Sequence, residues 1–213
     1  MDRDAVGIGV AVGAYGLSFG AVATAAGLSV AQACVLSLLA FTGGSQFALV
    51  AVLGAGGSPA AGVASALLLG SRNTLYAVRL TGLLGPGRRA LTAVLVIDES
   101  AAMALAQDGR AAARRAFFST GLAVYVLWNA ATLVGAVGAA ALGDPRNLGL
   151  DAAVPAAFLA LLWPRLRGRR PLAVAVAAAA VTLAVAPAVP AGLPVLVAAL
   201  VAVPGALLRR ARA

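Results

Sequence analysis

The stretch that decides the fold runs from Ala116 to Leu142, AFFSTGLAVYVLWNAATLVGAVGAAAL, 27 residues without a single Asp, Glu, Lys or Arg. About 20 predominantly apolar residues are enough to carry an α-helix through the hydrocarbon core of a bilayer. Arg110, Arg114 and Arg115 lie just ahead of the run, a basic collar of the kind that holds a helix end at the lipid–water boundary. The segment reads as a transmembrane helix.

Outward from it the same pattern repeats. Apolar runs interrupted by Gly, Pro or Arg lie near residues 5–26, 31–54, 60–84, 90–107, 151–163, 172–186 and 191–208. With 116–142 they predict about seven or eight crossings. The run from Val6 to Gly27 is too long for a signal-peptide core, so it is expected to stay as the first membrane helix. Of the 213 residues, 62% are hydrophobic and 11% charged, with a mean hydropathy of +0.98. Soluble domains hold about 45–50% apolar and about 25% charged residues. The expectation is one all-α, polytopic transmembrane domain spanning residues 1–213. The runs at 151–163 and 172–186 are short for a full span and the second run is glycine-rich, so one or more segments are expected to be broken or re-entrant. Irregular backbone at membrane depth survives only against protein or a watery cavity.

The net charge of +9 comes entirely from arginine, in clusters at 88–89, 110–115, 165–170 and 209–212. Short basic clusters between apolar runs mark cytoplasmic loops, so no nucleic-acid partner is expected. Eight crossings with a cytoplasmic N-terminus put 108–115, 164–170 and the C-terminal tail inside. The loops near 27–30, 143–150 and 187–190, nearly free of arginine, fall outside, and Arg88 and Arg89 then fall on the wrong side. The reading is a multi-pass protein of a bacterial cytoplasmic membrane, surrounded by lipid. There is no histidine and one cysteine, Cys34, which removes Ser-His and Cys-His dyads and imidazole metal sites. Without lysine there is no phosphate-binding Gly-x-x-x-x-Gly-Lys-Ser/Thr loop. No cofactor or metal is expected, and no enzymatic activity.

Charges that fall inside the apolar runs mark the candidate site. On insertion scales a charge at the bilayer centre costs about 2.5–3.5 kcal/mol. Arg72, beside Asn73, falls near the middle of the run at 60–84, and Asp98 and Glu99 fall near the middle of that at 90–107. Unpaired, the three charges would cost on the order of 8–10 kcal/mol, so Arg72 is expected to pair with Asp98 or Glu99 at similar depth. Burial favours a neutral carboxyl and a nearby arginine favours a charged one. Glu99, and Asp98 beside it, are therefore candidates for proton coupling.

The second run contains Phe41-Thr42-Gly43-Gly44-Ser45-Gln46-Phe47. Glycine inside a helix costs about 1 kcal/mol relative to alanine, and a break there would expose oriented N–H and C=O groups. Gly43, Gly44, Ser45 and Gln46 join Arg72, Asn73, Asp98 and Glu99 as candidate substrate-binding residues, and Asp151 is added where it opens a later run. A helix cap is the other reading of Asp151, and Trp128 is either functional or lipid-facing packing. Gly9-x-x-x-Gly13 and Gly16-x-x-x-Gly20 predict close helix packing.

These motifs, in this order, resemble the AzlC family, the large subunit of branched-chain amino acid exporters. The resemblance is carried by Gly20 to Phe47, by Ser71-Arg72-Asn73-Thr74-Leu75-Tyr76, by Asp98-Glu99-Ser100, and by the stretch from Leu148 to Phe158. The family commonly shows Asn-x-Arg-His where this chain has Gly70-Ser71-Arg72-Asn73, and an aromatic residue where Ala101 follows the triplet. The resemblance implies export of hydrophobic amino acids such as Leu, Ile, Val or Met, with a small membrane partner of the AzlD type. A membrane-embedded enzyme and a non-transporting scaffold subunit are the alternatives. Adjacent Asp98 and Glu99 do not face each other as an aspartyl dyad must, and a scaffold has no use for charges at mid-depth.

Overall fold

The computed structural model describes residues 3–85, 89–142, 159, 162–189 and 193–200, and all regular structure among them is helical. In chain order the helices are α1 (Arg3–Ala25), α2 (Val30–Leu39), α3 (Gly44–Gly54), α4 (Pro59–Leu84), α5 (Arg89–Leu95), α6 (Asp98–Leu105), α7 (Arg110–Ala141), α8 (Arg169–Val185) and α9 (Leu193–Leu200), with a 3₁₀ turn at Trp163–Leu166. Two of them, α1 and α7, are long and apolar enough to cross a membrane. Large apolar side chains such as Leu67, Leu75, Val78, Val126 and Val134 stand exposed on the outside of the described helices. Water would penalise such a surface and lipid does not.

The spine is the pair α1 and α7, which run in the same direction. Successive contacts climb both helices together, from Gly9 against Ala123 and Leu127, through Gly16 against Trp128, to Gly20 against Thr132 and Ala136. A Cβ at Gly13 would lie 2.8 Å from the Leu127 Cβ, and one at Gly16 would lie 2.5 Å from the Trp128 carbonyl oxygen. Only hydrogen fits between backbones this close, so the small-residue spacing acts here as packing.

The run at 31–54, expected as one crossing, is broken in two, as its glycine pair suggested. Ser29 and Gln32 cap α2 reciprocally. The chain then turns at Gly43, whose φ of +61° and ψ of −97° suit glycine. α3 doubles back along α4, with Ser45 against Gly70 and Leu49 against Gly62, and ends with Gly54 against Ala26 at the end of α1. α2 and α3 thus start and finish at the same end of the spine.

The run at 90–107 departs from expectation: it too is broken, and Asp98 and Glu99 open α6 instead of sitting mid-helix. Ser100 makes the break, its Oγ accepting from the Ile97 N–H at 3.2 Å and donating to the Leu95 carbonyl at 2.5 Å. Two acids in a first turn also suit the positive end of a helix. The geometry is again a hairpin. Arg114, one turn into α7, donates from Nη1 to the Leu84 carbonyl at the end of α4, at 3.0 Å. The chain therefore leaves α4 and enters α7 at the same end, while Leu95 packs against Gly121, about 10 Å further along α7.

Candidate functional site

The tips of the two hairpins approach each other from opposite ends of the spine, and the space between them is a cavity of about 280 Å³. That volume sits at the small end of ligand sites, which run from about 300 Å³ upward. The α2–α3 tip contributes Phe41, Thr42, Gly43 and Gly44, and the α5–α6 tip contributes Ile97, Asp98 and Glu99. Arg72 enters from α4, with Leu69 one turn before it, and α1 and α7 close the far wall with Val12, Val124 and Trp128. Leu162 also reaches the cavity.

Arg72 and Asp98 pair as anticipated, Nη2 to Oδ2 at 3.1 Å, with 27% and 25% of their side chains exposed. The Arg72 Nε is buried without a partner among the described residues. An Nη2 nitrogen of Arg72 also stands 3.6 Å from the position a Cβ at Gly44 would take, so the guanidinium lies against the first turn of α3. The unpaired amides of a helix N-terminus and its dipole favour an anion there. Polar groups of both signs thus gather at one side of the cavity, and the remaining lining is hydrocarbon and aromatic.

Of the residues singled out from sequence, Gly43, Gly44, Arg72, Asp98 and Glu99 line the cavity. Ser45, Gln46 and Asn73 are not part of its lining. Gln46, 1% exposed, spans the break: its Oε1 accepts from the Gly43 N–H at 3.1 Å and its Nε2 donates to the Leu36 carbonyl at 3.4 Å. It sets the shape of the tip and has little left for a ligand. Ser45 Oγ and Asn73 Oδ1 are buried without partners among the described residues. Asp151 lies outside the described residues.

Sequence reasoning passed over Tyr15, quoted Phe41 only as part of the glycine motif, and weighed Trp128 against lipid-facing packing without placing it in the site. Trp128 is 4% exposed and packs in an aromatic cluster with Phe19, ring centres 6.2 Å apart, and Phe47, 6.3 Å apart. Its indole N–H has no acceptor among the described residues, and a buried donor left unmatched costs about 1–3 kcal/mol. An aromatic residue inside an apolar run carries no sequence signal of such a role.

No curated protein and no solved structure matches this chain. A family model described as AzlC protein matches residues 7–142, the stretch from α1 to the last turns of α7 that holds both breaks and the ion pair. The match covers well over half of the sequence, and the protein is a membrane protein that belongs to the AzlC family.

Proposed function

We propose that this chain is the large subunit of a secondary transporter that exports branched-chain or other hydrophobic amino acids across the bacterial cytoplasmic membrane. A small membrane subunit of the AzlD type is its proposed partner, and an ion or proton gradient its driving force. The observation that carries the reading is the cavity between the two broken helices, polar at Arg72, Asp98, Glu99 and the start of α3 and apolar elsewhere. A hydrophobic amino acid has the matching division, a zwitterionic head and a hydrocarbon tail. The carboxylate is drawn to Arg72 and the α3 amides, the ammonium to Asp98 and Glu99, and the tail to Phe41, Leu69, Ile97 and Val124. Discontinuous helices recur at transport sites because they supply such backbone groups inside a membrane.

Asp98 and Glu99 are the proposed proton carriers. The test uses proteoliposomes holding this chain with its small partner and loaded with labelled leucine, isoleucine, valine or methionine. Efflux of at least one of them, dependent on a gradient, is the expected result. If none moves, the reading is wrong. Glu99→Gln is expected to flatten the pH dependence of efflux, and an unaltered profile would remove Glu99 from coupling.

A further inference from the structure

A second cavity, of about 640 Å³, is lined chiefly by α3 and α4 and shares a wall with the first. The residues of α3 explain why the space is there. Ala48, Ala51 and, at the C-cap of the helix, Ala55 recur at helical spacing and line it with side chains too small to fill it. Leu68 and Leu75 line it from α4 and Ala199 from α9, and apart from Arg72 and two serines the lining is hydrocarbon. Among the described residues, Leu69 and Arg72 alone line both cavities, so these two side chains form the wall between them. They meet at the start of α3, where a Cβ at Gly44 would lie 3.5 Å from the Leu69 Cδ2 and 3.6 Å from the Arg72 Nη2. The two halves of the wall are held differently. Arg72 is tied to Asp98 at 3.1 Å, whereas Leu69, 37% exposed, is held by dispersion contacts that are weak one at a time.

We propose that Leu69 is a specificity-determining residue, which limits the length of the transported side chain by closing the central site off from an apolar subsite for longer tails. This rests on the transport reading above and assigns the far end of the substrate within it. With the carboxylate at Arg72 and the α3 amides, the hydrocarbon tail starts beside Gly44 and runs up against Leu69. The central site, at about 280 Å³, is small for a ligand cavity, and the space beyond Leu69 is more than twice as large. An apolar lining accepts a hydrocarbon tail and penalises a charged head, so the head stays at Arg72 and only the tail can pass. A tail that passes gains cover worth about a fourfold increase in affinity per methylene. A tail stopped by Leu69 gains nothing and meets a steric limit.

The test measures binding of leucine, norleucine and α-aminooctanoate, whose tail is two methylenes longer than that of norleucine, to the chain assembled with its small partner. The unaltered protein is expected to bind α-aminooctanoate about tenfold more weakly than norleucine, or worse. Leu69→Ala joins the two cavities and is expected to reverse that order, while leucine affinity holds within about tenfold. Ala51→Phe, added to Leu69→Ala, fills the second cavity and is expected to cancel the gain. Equal binding of the two longer ligands by the unaltered protein, or an unchanged order in a folded Leu69→Ala protein, overturns the proposal. So does a gain that survives Ala51→Phe, since the tail then leaves toward lipid by another route. Should Leu69→Ala not fold, Leu69→Val, shorter by one carbon, is read in the same way. Absence of leucine binding to the unaltered chain would instead overturn the transport reading, and this assignment with it.

Discussion

The Arg72–Asp98 pair lies between two regimes. Exposed pairs contribute about 0–1 kcal/mol, whereas breaking a fully buried one costs about 3–5 kcal/mol. With about a quarter of each side chain exposed, Arg72→Ala is expected to lower stability by about 1–3 kcal/mol, read as a drop in thermal midpoint in lipid or detergent. A double-mutant cycle with Asp98→Asn isolates the coupling, and strict additivity within about 0.3 kcal/mol would show that the contact contributes nothing. Arg72→Lys is not expected to restore transport. A lysine can satisfy Asp98, but it cannot also present the remaining guanidinium nitrogens toward the start of α3. Arg72, Asp98 and Glu99 were legible in the sequence for a physical reason: a charge inside an apolar run is expensive and needs a cause. Trp128 was weighed as lipid-facing packing and is instead buried against the cavity, because an indole among leucines and valines has the same appearance whether it faces lipid or protein.

At the scale of elements, three glycines separate conformation from space. Gly43 has room, since a Cβ there would meet only the Trp128 Cη2 at 3.9 Å, but its φ of +61° with ψ of −97° strains any L-residue. Gly43→Ala is expected to cost about 1–3 kcal/mol and to reduce transport more than stability, because it deforms the hairpin tip that lines the cavity. Gly16 is the reverse case, with ordinary helical backbone and no room beside the Trp128 carbonyl. Gly16→Ala is expected to separate α1 from α7 and to abolish folded protein on size-exclusion chromatography. Gly7 meets nothing within 4 Å, and Gly7→Ala is expected to stabilise by about 0.5–1 kcal/mol through helix propensity alone. The first break announced itself as Gly43-Gly44. The second did not, because no Gly or Pro lies between Ala90 and Gln107. Its signal was subtler: Val96-Ile97 followed by Asp98-Glu99-Ser100, a β-branched pair running into an acidic helix start whose third residue can cap.

The two hairpins change how the whole chain is threaded. A continuous fourth crossing would place Arg88 and Arg89 opposite Arg110, Arg114 and Arg115, against the tendency of arginine to gather on the cytoplasmic side. In the structure, α5 and α6 span about 10 and 12 Å of helix, well short of a hydrocarbon core of about 30 Å, and together they return to the end from which they left. Arg3, Arg79, Arg89, Arg110, Arg114 and Arg115 then share one end of the spine, and the residues joining α1 to α2 and α3 to α4 at the other end contain no arginine. Among the described helices α1 and α7 are the two long and apolar enough to cross a membrane, and the α2–α3 and α5–α6 hairpins approach the cavity from opposite ends of that spine. Periodicity could not reveal this, since a re-entrant pair and a spanning helix bury the same kind of side chain. Single cysteines in a Cys34→Ala background distinguish the two arrangements. Arg89→Cys and Asp108→Cys are expected to react with a membrane-impermeant maleimide from the same, cytoplasmic side, and Ala60→Cys from the opposite side. Labelling of positions 89 and 108 from opposite faces would mean that the segment spans, and the meeting of two hairpin tips at the cavity would have to be abandoned.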